Sequence, residues 1–145
     1  MTDPTPPGLA ETREGFLELD DKSRLEFLLE FANELPPLPP HYAEHEEELE
    51  RVEECQSPVF IIVDVIDDIV WVHATAPREA PTTRGFASIL VQGLSGLSSN
   101  DVLACPDDFP FTLGLTALVS PLRLRGLSGM LWRIKRQVSE KSSAH

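Results

Sequence analysis

Apolar positions between Leu9 and Leu35 recur with a helical period. Leu25, Leu28, Leu29 and Ala32 fall at i, i+3, i+4 and i+7, and Phe27 and Phe31 widen the stripe. Asp20 or Asp21 is placed to cap the main helix, where carboxylates also suit the positive end of the dipole. The run Leu35-Pro-Pro-Leu-Pro-Pro40 ends it, because proline lacks the amide donor and disfavours helix in the residue before it. The period then changes. A short strand is expected around Leu49–Glu53, and Val59–Val65 and Ile69–Ala74 are dense in β-branched and apolar residues. The Asp67-Asp68 pair between the last two marks a hairpin turn.

Helical patterning returns after the sheet. Thr82 or Thr83 opens a helix with Phe86, Ile89, Leu90 and Leu94 on one face. Ser98 to Asp101 resembles a capping box. Ser120-Pro121 joins an N-cap serine to a proline at the first helical position. The helix it opens carries Leu124, Leu127, Leu131 and Ile134, and its Arg133, Lys135, Arg136 and Lys141 suit the negative dipole end. These elements predict an α+β fold, a small three-stranded antiparallel sheet packed against several helices. One domain over 9–138 is expected, between disordered tails at 1–8 and 139–145.

Composition narrows the function. With 145 residues and 41% hydrophobic content the chain can bury about two-thirds of its extended surface around one core. No apolar run approaches the roughly 18 residues that span a bilayer, and the N-terminus lacks the features of a signal peptide. A cytoplasmic location is the expectation. Residues 1–54 hold sixteen Asp/Glu against four Lys/Arg and so account for the whole net charge of −12, since the rest balances at eight of each. Such a surface disfavours nucleic acid and anionic membranes as partners and suits a basic patch on another protein.

Two cysteines without a secretory signal point to free thiols. Cys55 lies in a polar turn between two predicted strands, where a thiol is accessible and held on both sides, and it is the candidate nucleophile. Cys105 follows a helix C-terminus, whose dipole disfavours a thiolate, and reads as packing. His41 and His45 have the i, i+4 spacing of metal ligands but lack a third partner, so no metal site is expected; His73 reads as a partly buried strand residue. No phosphate loop, nucleophile elbow or catalytic triad is present.

Leu35-Pro-Pro-Leu-Pro, Glu50-Arg-Val-Glu-Glu-Cys-Gln-Ser-Pro-Val59, Arg84-Gly85, Leu113-Gly-Leu115 and Ser120-Pro-Leu-Arg-Leu-Arg-Gly-Leu127 follow one another in order. Together they resemble the SufE-like sulfur-acceptor proteins over roughly residues 20–138. The resemblance implies that Cys55 accepts sulfur from the persulfide of a pyridoxal-phosphate cysteine desulfurase (SufS-like), stimulates that enzyme and passes the sulfur to an iron–sulfur scaffold. No cofactor of the chain's own is implied. It also implies that Gln56 and Ser57 flank the acceptor, that Arg123 lies beside its loop, and that Arg84 and the acidic Glu79 mark the start of the helix after the sheet. Glu54 stands where the family usually has glycine, and its charge is expected to raise the pKa of Cys55. If the backbone there required positive φ, a non-glycine residue would be strained. Thr82 and Thr83 stand where relatives are commonly aliphatic. Two other readings exist: a cluster scaffold, which two distant cysteines cannot furnish, and an acidic adaptor of the desulfurase without sulfur chemistry.

Overall fold

The computed structural model describes residues 3–142. Helices α1 (Pro7–Leu17), α2 (Asp21–Asn33) and the short α3 (Pro40–Glu44) precede strands β1 (Glu50–Arg51), β2 (Phe60–Ile66) and β3 (Ile69–Thr75). Helices α4 (Pro81–Leu94), α5 (Ser99–Leu103) and α6 (Pro121–Ser142) complete the chain. The sheet is antiparallel in the order β1-β2-β3. The expected class, α+β with three strands, is the one observed.

The register explains which way each strand faces. Ile61, Val63 and Val65 stand opposite Ala74, Val72 and Val70, and this face lies against α4 and α6. The opposite face carries Asp64 and the half-exposed Trp71 and Ile66. Asp67 and Asp68 make the hairpin turn with φ of 50° and 64°, the two left-handed residues that a type I′ turn requires.

Strand β1 is only two residues long, which leaves the β2 edge unpaired beyond Ile61. Helix α6 runs past that edge and supplies the missing partners. Gln137 accepts from the Val63 amide at 2.8 Å, and Lys141 donates to the Val63 carbonyl. The basic end of α6 was expected to complement the helix dipole. Lys141 does lie in the last turn, and the cations also find tertiary partners: Lys135 bonds Cys105 O and Asp107, Arg136 bonds Glu50, and Arg133 bonds Glu54 and pairs with Glu50.

Several expectations change at element ends. The N-terminal tail is shorter than expected, because Pro7 opens α1, Thr5 is buried and Asp3 pairs with Arg13 at 2.7 Å. Residues 139–142 belong to α6. Residues 1–2 and 143–145 of the two expected tails lie outside the described residues. The Leu9–Leu35 stretch is two helices, because Asp20 turns its carboxylate onto the Ser23 amide at 2.9 Å and starts α2 there. The α2 stripe is also rotated: Leu28 and Ala32 are buried, while Leu25 and Leu29 are exposed. Phe27 and Phe31 instead pack with Phe16 of α1 at ring distances of 4.6 and 6.3 Å. Helix α4 begins at Pro81 rather than at a threonine cap, since proline suits the first helical position. Ser98 and Ser120 cap as expected, accepting from the Asp101 and Arg123 amides.

Candidate functional site

The chain between β1 and β2 is pinched at its base by Val52 N–H donating to Val59 O at 2.9 Å. Cys55 sits within this closed loop, and its amide donates to Val52 O at 3.1 Å. The loop borders a cleft of about 340 Å³. Glu54, Cys55, Gln56 and Ser57 form one side, the start of α4 from Glu79 to Thr83 forms another, and Leu122, Arg123 and Gly126 of α6 close it.

The thiol does not stand at an exposed tip. Cys55 is 6% exposed, which corrects the expectation of an accessible turn residue. The reason is α6, whose Gly126 lets the loop approach the helix. A Cβ at Gly126 would lie 2.9 Å from Cys55 Sγ. One turn further along, a Cβ at Gly129 would lie 2.6 Å from the carboxyl carbon of Glu54. Two adjacent loop side chains therefore rest on two glycines of one helix face.

Electrostatics follow from this seating. Burial, and after it the neighbouring Glu54 charge, push the Cys55 thiol up to about 11. Arg133 and Arg51 act in the opposite direction. Arg133, itself 9% exposed, donates to Glu54 Oε1 at 2.5 Å and lies 3.2 Å from Glu50 Oε2. Glu54 adopts no left-handed backbone, since among the described residues only Asp67, Asp68, Gly96 and Gly114 have positive φ. The backbone strain raised as a possibility from the sequence is absent, while the charge effect is present.

The second thiol is in a different setting. Cys105 is buried just after α5, and burial pushes it up to about 11. Both cysteines are free. Among the described residues the group with metal-ligand spacing is His45, Glu47 and Glu48, all exposed. His41 and His45 pair with Glu48 and Glu47 at 2.9 and 3.3 Å. His73 is half-buried on β3, 3.4 Å from Asp64, and burial lowers its pKa. No helix among the described residues is long and apolar enough to cross a membrane.

Comparison with known proteins bears on this arrangement. The family model described as a SufE, Fe-S metabolism associated domain matches residues 10–138. The chain belongs to the SufE family. SufE-like proteins from two strains of Mycobacterium tuberculosis are 55% identical over 143 residues, covering 97% of this chain and 99% of theirs. SufE-like protein 1, chloroplastic/mitochondrial, of Arabidopsis thaliana is 33% identical over 129 residues, which cover 87% of this chain and 33% of that protein. The solution structure of a hypothetical protein from Thermus thermophilus is 41% identical and superposes with a TM-score of 0.84, covering 96% and 98% of the two chains.

Within this SufE fold the residues singled out from the sequence separate into two groups. Glu54, Cys55, Gln56, Ser57, Glu79 and Arg123 meet at the cleft. Arg84 does not join them. Its Nε donates to Ala32 O at 2.9 Å and its Nη1 to Ala76 O at 2.6 Å, tying α2 and the end of β3 to α4. Arg123 lines the cleft, yet the cations that act on the thiol are Arg133 and Arg51. The sequence pattern places Arg133 among the cations that suit the helix dipole and gives no role to Gly126 or Gly129. The available signal was Gly126 and Gly129, three apart on one helix face, a spacing that permits a close approach.

Proposed function

We propose that Cys55 accepts a sulfane sulfur from the active-site persulfide of a SufS-like, pyridoxal-phosphate-dependent cysteine desulfurase. The chain stimulates that enzyme and relays the sulfur to a scaffold on which iron–sulfur clusters are built, in the cytoplasm. The observation that carries this reading is a single recessed thiol, in the Glu-Cys-Gln-Ser motif, at the edge of a cleft large enough to admit a donor cysteine.

The chemistry is an exchange without net oxidation. The Cys55 thiolate attacks the outer sulfur of the donor persulfide, a new sulfur–sulfur bond forms, and the donor's own sulfur–sulfur bond breaks. The donor cysteine leaves as a thiolate and takes up the proton that Cys55 gave up. Arg123 at the cleft supplies a cation that favours the anionic persulfide. The cofactor belongs to the partner enzyme; this chain contributes the nucleophile and its enclosure.

The burial of Cys55 and the adjacent Glu54 charge favour a second reading, an acidic adaptor that binds the desulfurase without accepting sulfur. Mass spectrometry after incubation with a desulfurase and cysteine separates the two. A gain of one sulfur that disappears in Cys55→Ser supports acceptance. Binding with no gain in the wild type leaves only the adaptor.

A further inference from the structure

Two of the protein's four histidines lie in the segment that leads into β1, and neither lines the thiol cleft. His41 is in α3 and His45 ends it. A single 3-10 turn, Glu46–Glu48, follows at once. As a sequence pattern the i, i+4 pair of histidines lacks a third ligand. The turn supplies it. One ligand atom from each of His45, Glu47 and Glu48 lies within 4.8 Å of the other two. His41 joins through Glu48, with Nε2 2.9 Å from Oε2, and its ring centre lies 4.7 Å from that of His45.

These spacings are those of metal ligands. Two donors about 2.1 Å from a tetrahedral ion stand about 3.4 Å from one another. The His45–Glu47 contact is 3.3 Å and the His41–Glu48 contact 2.9 Å, so each pair already spans one edge of such a site. The wider separations close by rotation of side chains that are all exposed.

Charge favours the same occupant. From Pro36 to Leu49 the chain has four glutamates and no lysine or arginine. Among the described residues the ion-pair partners of Glu47 and Glu48 are His45 and His41. Where those imidazoles are neutral they leave the carboxylates uncompensated, and neutral imidazole is itself a metal ligand. The backbone beneath is held. Tyr42, between the two histidines, donates its hydroxyl to Asp64 of β2 at 2.6 Å. The Glu48 amide donates to His45 O at 3.0 Å, which fastens the turn to the end of α3. Binding therefore has only side-chain rotamers to order.

We propose that His41, His45, Glu47 and Glu48 form a surface site for one divalent transition-metal ion of the zinc class. Two imidazole nitrogens and two carboxylate oxygens bind it. Imidazole discriminates against magnesium and calcium, which take oxygen ligands. The bound ion joins α3 to the turn that enters β1, and so stabilises the folded chain. The site is independent of Cys55, and either reading can fail without the other.

Zinc titration by calorimetry, in a Cys55→Ala/Cys105→Ala background, tests the site with thiol ligands removed. One ion per chain is expected. His41→Ala/His45→Ala should weaken binding more than about a hundredfold, since losing even an outer-shell partner of a metal ligand costs about 10–100-fold. Cobalt(II) should show the visible absorption of a four-coordinate ion in the parent and that of the hydrated ion in the double variant. All four side chains are exposed, so the double variant keeps the parental unfolding midpoint when metal is absent. Zinc then raises the thermal midpoint of the parent and not that of the variant. Three results overturn the proposal: no zinc uptake by the parent, undiminished uptake by the double variant, or displacement of zinc by a modest excess of magnesium. The last would mark a plain acidic surface.

Discussion

Gly126 lies under Cys55 so closely that a Cβ on the glycine would come within 2.9 Å of the sulfur. The loop reaches its recessed position because this helix position has no side chain. Gly126→Ala should lift the thiol toward the cleft. Overpacking costs about 1–3 kcal/mol, and the gain in helix propensity offsets about 1 kcal/mol of that. A modest drop in urea midpoint together with faster Cys55 alkylation is expected; a slower reaction would contradict this geometry.

The two thiols make stability depend on alkaline pH. Both are pushed up to about 11 from an ordinary 9.0, chiefly by burial. A raised folded-state pKa means that the neutral thiol is the form the fold favours. Its contribution is full below pH 9 and is lost as pH rises through 11. The urea midpoint should therefore fall over that window, and less steeply in Cys55→Ala/Cys105→Ala. At pH 8 the thiolate fraction of Cys55 is about a hundredfold below that of an unperturbed thiol, which iodoacetamide kinetics can read.

Arg84 acts on the fold and not on the thiol. Its guanidinium serves two carbonyls that otherwise lose their partner, Ala32 O and Ala76 O. Arg84→Met should cost about 2 kcal/mol in denaturant unfolding, while Cys55 alkylation and sulfur uptake by the folded variant stay at the parental level. A selective loss of sulfur uptake without destabilisation would return Arg84 to the site.

Asp67 and Asp68 both hold left-handed backbone in the β2–β3 turn. Glycine adopts that conformation without the Cβ penalty, and the Asp68 carbonyl that accepts from the Ser99 amide is retained in a variant. Asp68→Gly should raise stability by about 0.5–1 kcal/mol, seen as a higher thermal midpoint with unchanged thiol reactivity.

Much of the fold was legible because its signals are local. The Val59–Val65 and Ile69–Ala74 strands, the Asp67-Asp68 turn, and the Ser98 and Ser120 caps each depend on residues within a few positions of one another. Where local signals competed, the outcome was tertiary. Leu25 and Leu29 fit the helical stripe of α2 as well as Leu28 does, yet the α4 side of the helix buries Leu28 and Ala32 and leaves the other two in solvent. Thr82 and Thr83 are plausible caps, but Pro81 is already at the first helical position.

Cys55 shows the same division at the site. Its motif, its place between two strands and its neighbours Gln56 and Ser57 are properties of the sequence, and so is the family to which they point. Its depth is not. The sequence by itself determined most of the elements and which thiol is the candidate, because periodicity, caps and turn residues act over one or two turns of chain. Only the tertiary structure decided that Cys55 rests on Gly126 and that Glu54 is held by Arg133, a partner 79 positions away. That pairing exists because α6 packs along the free edge of β2, a contact that no local pattern specifies.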